Sequence, residues 1–469
     1  MGALTEPDEG FFTKTLRNMR SIWHDMARDS TAAPKGPDLS SGDISALKKQ
    51  FSDCLVGAGG DVSARARAAQ LGECYLGLND DGRLKFLTLI ANDFGVDRLA
   101  VGEAVSAYQV AKDDDSKTRA EGALRKALYP LRLDLLTQFN AIPQGVKFLV
   151  DMRADLLRYK AKDAALNLLD QDMQGLLTGW FDIGFLELQQ ITWDSPASLL
   201  EKLIQYESVH EITSWDDLRN RLDSDRRLYA FFHPRMPTEP LIFVEVALVN
   251  GISSSVQTLL DENAPILNPR DTDTAIFYSI SNTQVGLRGI SFGNFLIKRV
   301  VASLTRDLPN LKSFSTLSPL PGFMKWFQEA IADGAADLFT VDARKAIKAA
   351  TGKPFRKGSC AKLFADNSWQ QDAVLVAALK EPFLRLAARY LANEKRGRGP
   401  LDPVARFHLG NGAQIEQLNW QGDTSDNGLN QSAGLMVNYL YKLNDIEKNH
   451  ERFARDGHIA MSSTVEKLI

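Results

Sequence analysis

One stretch constrains this chain more than any other: AIFYSISNTQVGLRGISFGNFLIKRVVASLTRDLPNLKSFSTLSPLP, from Ala275 to Pro321. It reads as strand, glycine turn, helix, strand. Ala275 to Ser281 is a short apolar and aromatic run of strand character, and Asn282 to Gly289 is rich in turn residues. The spacing predicts a helix opening near Gly293. Leu296, Ile297, Val300, Val301 and Leu304 share one face of it, Lys298, Arg299 and Arg306 lie elsewhere, and Pro309 ends it. Lys312 to Leu317 alternates as a second strand that runs out at Ser318 and Pro319.

A glycine turn that leads into a helix N-terminus lets backbone N–H groups approach an anion without an intervening Cβ, and the helix dipole favours negative charge there. Such a turn is a diphosphate cradle. Its spacing is not the dinucleotide fingerprint GxGxxG, and no GKS or GKT follows to make a Walker A loop. Arg288, Gly289, Ser291 and Gly293 instead resemble the acyl-CoA pyrophosphate motif of the GNAT acetyltransferase superfamily, Q/R-x-x-G-x-G/A, with Ser291 in place of the middle glycine. On its residues alone the turn also fits an ordinary glycine-rich connection between strand and helix.

At 469 residues the chain exceeds one ordinary core and implies two or three domains. Lys and Arg number 55 against 59 Asp and Glu, a net charge of -4, which favours neither nucleic acid nor an anionic membrane surface as a partner. Cys54, Cys74 and Cys360 form no CxxC pair, which suits a reducing compartment. The six histidines show no ligand spacing, so neither a metal site nor a metal cofactor is expected. No apolar run reaches transmembrane length, the N-terminus lacks a signal-peptide core, and its early acidic residues argue against a mitochondrial presequence, so a cytoplasmic location is expected.

In chain order, residues 1–40 hold an amphipathic segment, Phe11 to Met26, and a Pro/Ser/Gly linker, and are expected to be a partly mobile arm. Residues 41–188 have helical periodicity and little strand signal, as in a bundle. Val146, Leu149, Val150, Leu156 and Leu157 share one face there, and Ala165, Leu168, Leu169, Met173, Leu176 and Leu177 another, with Asp163 as an N-cap. KDDDSKTRAEG reads as a solvated loop or a helix start. Near 189 the pattern turns to mixed α/β. Leu228 to His233 and Leu241 to Val249 predict antiparallel strands, and Ala413 to Trp420 and Leu435 to Tyr441 two more, joined by a long polar loop.

The fold class is therefore α+β: an all-α bundle followed by a sheet domain whose order of strand, strand, strand, glycine turn, helix, strand resembles the GNAT core. FFHPRMPTEPL, YSISNTQVGLRGISFGNFLIKRVV, FSTLSPLPGF, PVARFHLGNGA and GLMVNYLY together resemble malonyl-CoA decarboxylase, from about Asp43 to Tyr441. The resemblance implies conversion of malonyl-CoA to acetyl-CoA and CO2 within fatty acid metabolism, without metal, biotin or other cofactor. It implies a catalytic domain over 189–469. It makes Ser318 of SPLPGF and His408 of ARFHLGNGA the catalytic pair. Arg288, Gly289, Ile290, Ser291, Phe292, Gly293 and Asn294 become the CoA diphosphate loop, and Ser279 and Tyr441 polar groups lining the acyl site. Where the family has an acidic residue in the glycine turn, this chain has Ser291. The helical domain, which lacks chemical motifs, is expected to serve in homo-oligomer formation, as dimer or tetramer.

Read without the resemblance, Ser318 fits a cap for a helix opening at Pro319, His408 a satisfied core histidine, and Tyr441 a packing residue with its hydroxyl on a carbonyl. Loss of CO2 from a malonyl thioester leaves an enolate, so the breaking bond must stand perpendicular to the thioester plane and the oxyanion needs placed donors. A serine orients the carboxylate without oversolvating it, and a histidine delivers the proton. Two other classes fit the same cradle: a GNAT-type acyltransferase, which needs an acceptor and a base, and a non-catalytic acyl-CoA sensor.

Overall fold

A computed structural model describes residues 19–23, 36–56, 60–290, 295–333, 338–353, 362–364 and 367–469. The expected arm, with its segment Phe11 to Met26, lies outside these apart from Met19–Trp23, which is helical, and residues 36–40, where Leu39 is buried, and Cys360 lies outside them too. The chain divides into two compact units. The first takes the described residues up to Glu187 with those of Phe232–Leu241 and Asn282–Phe292, and the second takes the remainder.

Besides Met19–Trp23, the described residues of the first unit form α1 (Ser41–Val56), α2 (Gly60–Leu76), α3 (Asp80–Asp93), α4 (Arg98–Val110), α5 (Asp114–Ala127), α6 (Leu131–Asn140), α7 (Gly145–Tyr159) and α8 (Ala164–Trp180). Their starts follow local chemistry. Asp163 caps α8 by accepting from the Ala165 N–H, as its position predicts. The charged run is a helix start, since Asp113 and Ser116 form a capping box on α5. On α7, Val146, Leu149, Val150 and Leu156 are buried, whereas Leu157 is only half-buried. On α8, Leu166, Leu169, Met173 and Leu177 turn inward, while Leu168 is 53% exposed and leaves the expected face. The buried stripe steps by three and four from Leu166, and Leu168 falls between its rungs. Aromatic edges close this core, with Trp23 and Tyr75 set against Phe148 at 4.9 and 5.6 Å.

The second unit is built on an eight-stranded sheet. Its strands are β1 (Glu187–Ile191), β2 (Arg226–Phe232), β3 (Ile242–Val249), β4 (Thr274–Asn282), β5 (Ser313–Thr316), β6 (Ser318–Pro319), β9 (Gln414–Asn419) and β10 (Met436–Leu440), while β7 (Lys395–Arg396) and β8 (Gly399–Pro400) pair apart from it. The order is β1-β2-β3-β4-β5-β10-β6, with β9 on β10. β2 and β3 are antiparallel, as their turn-separated apolar runs predict, and so are β9 and β10. Its longer helices among the described residues are α9 (Ala197–Tyr206), α10 (Trp215–Arg221), α11 (Phe295–Asp307), α12 (Phe323–Ala332), α13 (Val341–Thr351), α14 (Ala373–Asn393), α15 (Pro403–Gly410), α16 (Asp426–Ser432) and α17 (Ile446–Asp456), with single turns at Val256–Leu259 and Ser463–Glu466.

β4 and β5 are parallel and joined through α11, whose Leu296, Ile297, Val300, Val301 and Leu304 are buried. The sequence of β2, β3, β4, turn, α11, β5 is the order expected of a GNAT-like domain, and the chain is α+β. The loop between the last two long strands holds α16, capped by Ser425, so it is not irregular throughout.

Candidate active site

Three strand segments carry hydroxyl side chains at a spacing of two: Ser279 and Ser281 on β4, Thr316 and Ser318 across β5 and β6, and Tyr439 and Tyr441 on and just beyond β10. The parallel register sets Phe277 beside Thr316, and the antiparallel ones set Leu440 beside Ser315 and Val437 beside Ser318. Register partners share a face and residues two apart return to it, so all six side chains leave the same face of the sheet. The opposite face carries an apolar cluster, in which Ile276, Tyr278, Leu317 and Met436 pack with Ala247 and Val256.

α15 brings the imidazole to the hydroxyl face. Asp402 caps it by accepting from the Ala405 N–H, Pro403 follows in the first turn, and His408 stands in the last. Burial raises the Asp402 carboxyl to about 6. His408 is 2% exposed and stacks on the Tyr439 ring at 4.6 Å. Its Nδ1 lies 2.8 Å from the Tyr441 hydroxyl and its Nε2 3.3 Å from Ser318 Oγ. Ser318 donates to Thr316 Oγ1 at 2.9 Å, and Thr316 Oγ1 also accepts the Tyr439 N–H at 3.2 Å. Asn438 Nδ2 holds the Thr316 carbonyl at 2.8 Å.

Because Ser318 donates its one hydrogen to Thr316, its Oγ is left to accept the Nε2–H of His408, and the neutral ring then accepts the Tyr441 O–H at Nδ1. Burial pushes His408 down to about 3 and holds Tyr441 well above the ordinary tyrosine value. The imidazole is therefore neutral at physiological pH, with its hydrogen on Nε2 and facing the serine.

The structure brings Ser318, His408 and Tyr441 together. Ser318 caps no helix, because the next one, α12, opens at Phe323 behind Gly322. Ser279 lies on the same face, but its hydroxyl is held by Glu207 at 2.8 and 2.9 Å. Thr316, Tyr439, Ser281 and Glu207 are absent from the sequence expectations. The first three had a signal, since YSIS, STLS and NYLY each repeat a hydroxyl residue at strand period. A cleft of about 500 Å³ runs between α11 and the segment after β10, with Tyr441, Leu443 and Ile446 along one side and Ile297, Val301 and Thr305 along the other.

Of the expected diphosphate loop, Ser291, Phe292, Gly293 and Asn294 lie outside the described residues. Arg288, Gly289 and Ile290 belong to the first unit, where Arg288 and Gly289 are exposed and Ile290 is buried. Gly289 has φ +83°, in the left-handed region that favours glycine. Buried Arg153 donates to the carbonyls of Gly286 at 2.6 Å and Arg288 at 3.0 Å, and Gln174 donates to that of Gly289 at 2.9 Å. A Cβ on Gly286 would stand 1.8 Å from the Val150 carbonyl, so only glycine lets the turn lie this close to α7.

A family model described as the malonyl-CoA decarboxylase C-terminal domain matches residues 184–469, and one described as its N-terminal domain matches 94–181. The chain belongs to the malonyl-CoA decarboxylase family. Among curated relatives, the mitochondrial malonyl-CoA decarboxylase of Anser anser anser is 38% identical over 87% of this chain and 84% of its own, and that of Mus musculus 37% over 87% and 86%. Among solved structures, malonyl-CoA decarboxylase from Rhodopseudomonas palustris superposes with a TM-score of 0.81 at 44% identity, covering 92% of this chain and all of the other. That from Agrobacterium vitis gives 0.80 at 43%, covering 90% of this chain and 99% of the other. Among the described residues no helix is long and apolar enough to cross a membrane.

Proposed function

We propose that this chain decarboxylates malonyl-CoA to acetyl-CoA and CO2, with Ser318 and His408 as the catalytic pair. The observation that carries the reading is the directed chain from Tyr441 through His408 to Ser318 on one sheet face, in a member of this family. Ser318 orients the carboxylate, whose C–C bond then stands across the thioester plane. As CO2 leaves, His408 supplies its Nε2 proton to the enolate carbon while Tyr441 passes its hydroxyl proton to Nδ1, so the ring stays neutral and the Tyr441 oxygen regains a proton from solvent through the cleft before the next turnover. Residues Arg288 to Asn294 take the CoA diphosphate, and Ser279 and Tyr441 line the acyl site. Mixing the pure protein with malonyl-CoA alone tests this: acetyl-CoA and CO2 form without an acceptor. An acyltransferase would form neither, and a sensor would bind without turnover.

We assign residues 41–188 to a helical domain for self-association and 189–469 to catalysis. Support comes from the hairpin of α4 and α5, where only Ala104 and Ala120 are buried while Leu99 is 81%, Val110 73% and Tyr108 45% exposed. Leu99→Asp with Val110→Asp is expected to shift the mass seen by light scattering at micromolar concentration toward the monomer. A wild-type monomer under the same conditions would remove the assignment. We also place the reaction in fatty acid metabolism and the protein in the cytoplasm. The curated relatives carry mitochondrial names, so recovery of the native protein from an organelle fraction would overturn the second placement.

A further inference from the structure

Glu207 is a buried carboxylate for which the mechanism above has no use. It follows α9, is 7% exposed, and every hydrogen bond to it comes from a donor. The N–H groups of Val209 and His210 reach Oε1 at 2.7 and 2.8 Å. The Ser279 hydroxyl lies 2.9 and 2.8 Å from the two oxygens, and the Ser281 hydroxyl 3.1 Å from Oε2. A serine has one hydrogen, and Ser279 commits its own to Glu207, so toward anything else it offers lone pairs only.

The place where this happens matters. β4 and β5 are in register at Phe277 and Thr316, and the Leu317 N–H on the Phe277 carbonyl follows. Ser279 on β4 and Ser318 on β6, each two residues beyond the Phe277 and Thr316 pair, project from one face of the sheet, where the chain leaves its pairing with β4 after Leu317 and β6 pairs with β10 instead. On the β5 and β6 side the Ser318 hydrogen rests on the neutral Thr316 Oγ1, a weaker hold than the Glu207 carboxylate has on Ser279, so it is the one that can turn to an incoming carboxylate, with the Nε2–H of His408 beside it. The β4 side presents serine lone pairs backed by a carboxylate.

We propose that Glu207 is a positioning residue that orients the malonyl group: by holding Ser279 as an acceptor, it turns the malonyl carboxylate away from β4 and toward Ser318. The proposal rests on the reading that Ser279 lines the acyl site. A carboxylate laid against Ser279 would meet lone pairs and a like charge, which is unfavourable at short range. The amide N–H groups of the acyl-CoA arm are the partners Ser279 can accept from.

Glu207→Gln is the test, because its amide NH2 can donate to Ser279 and turn the serine hydrogen outward. With that hydrogen free, the carboxylate binds against β4 in an unreactive pose. The kcat for malonyl-CoA is expected to fall about 10- to 100-fold, with KM unchanged or lower, while the Kd for acetyl-CoA, which has no carboxylate, stays within about twofold of wild type. Unchanged kcat and KM would overturn the proposal. So would a parallel loss of acetyl-CoA affinity and thermal stability, which marks a purely structural role. If the variant fails to fold, Ser279→Ala decides instead. Loss of an acceptor alone costs under about tenfold in kcat, whereas a loss above about 100-fold means that Ser279 donates to the carboxylate, and the proposal falls. Wild-type turnover is measured alongside. Its absence refutes the decarboxylase reading itself, and its presence with an unaffected Glu207→Gln refutes only the role of Glu207.

Discussion

Replacing His408 with asparagine should lower kcat for malonyl-CoA by on the order of 10²- to 10⁴-fold while leaving acetyl-CoA affinity nearly intact. The imidazole acts on charge that exists only as the C–C bond breaks, so its loss falls on the transition state and spares the bound ground state. Normal turnover by the variant would return His408 to the role of a packed core residue. Wild type that exchanges deuterium into the methyl group of acetyl-CoA should lose this on His408→Asn and retain it largely on Ser318→Ala, since no carboxylate takes part in that step. Equal loss in both would make the serine and histidine one proton-transfer unit.

The same burial makes His408 a reporter of stability. Its value in the folded chain is about 3, below the ordinary 6.5, because burial disfavours the charged ring. A depressed value contributes stability that is fully present above about pH 6.5 and is lost as pH falls toward 3, on the order of a few kcal/mol by pH 4. The gap in Tm between wild type and His408→Asn should therefore narrow from pH 7 to pH 4. A constant gap would show that His408 is protonated in the fold. For the same reason, no acid limb in kcat between pH 5 and 8 should belong to His408.

Much of this arrangement was legible because strands and helices announce their faces by period. The β4, turn, α11, β5 unit, both long hairpins and the cap at Asp163 follow from local pattern. Ser318, His408 and Tyr441 were reachable through motif resemblance alone, since they lie up to 123 positions apart and a register must be known before their faces can be compared. Thr316 and Tyr439 repeat the hydroxyl pattern of their strands, but a hydroxyl residue two places from a catalytic one is common in any β-run. Glu207 and Arg153 carry no periodic signature at all. Each is a charged residue near or within a helix whose meaning comes from a backbone carbonyl or a serine far away in the chain. Leu168 misled because leucine at the right hydropathy sits one step off the true stripe of α8.

Arg153→Met is expected to loosen the turn that precedes α11. Arg153 is 1% exposed, its Nε pairs with Asp170 Oδ1 at 2.8 Å, and its Nη1 holds the carbonyls of Gly286 and Arg288. Methionine keeps the apolar stem and removes all three bonds, leaving two carbonyls without their donor. Asp170 keeps Lys160 at 2.9 Å, so the carboxylate is not orphaned, and the cost should fall at the lower end of that for breaking a buried pair, about 2–4 kcal/mol. Stability alone would leave function untouched in the folded fraction. The turn, however, leads into the residues proposed to take the CoA diphosphate, where backbone N–H groups act only if the backbone is held in place. CoA binding by calorimetry, measured well below the Tm of the variant, should weaken by about tenfold or more. Unchanged affinity in a folded Arg153→Met protein would mean that Gln174 and the close contact of Gly286 with Val150 suffice to hold the turn.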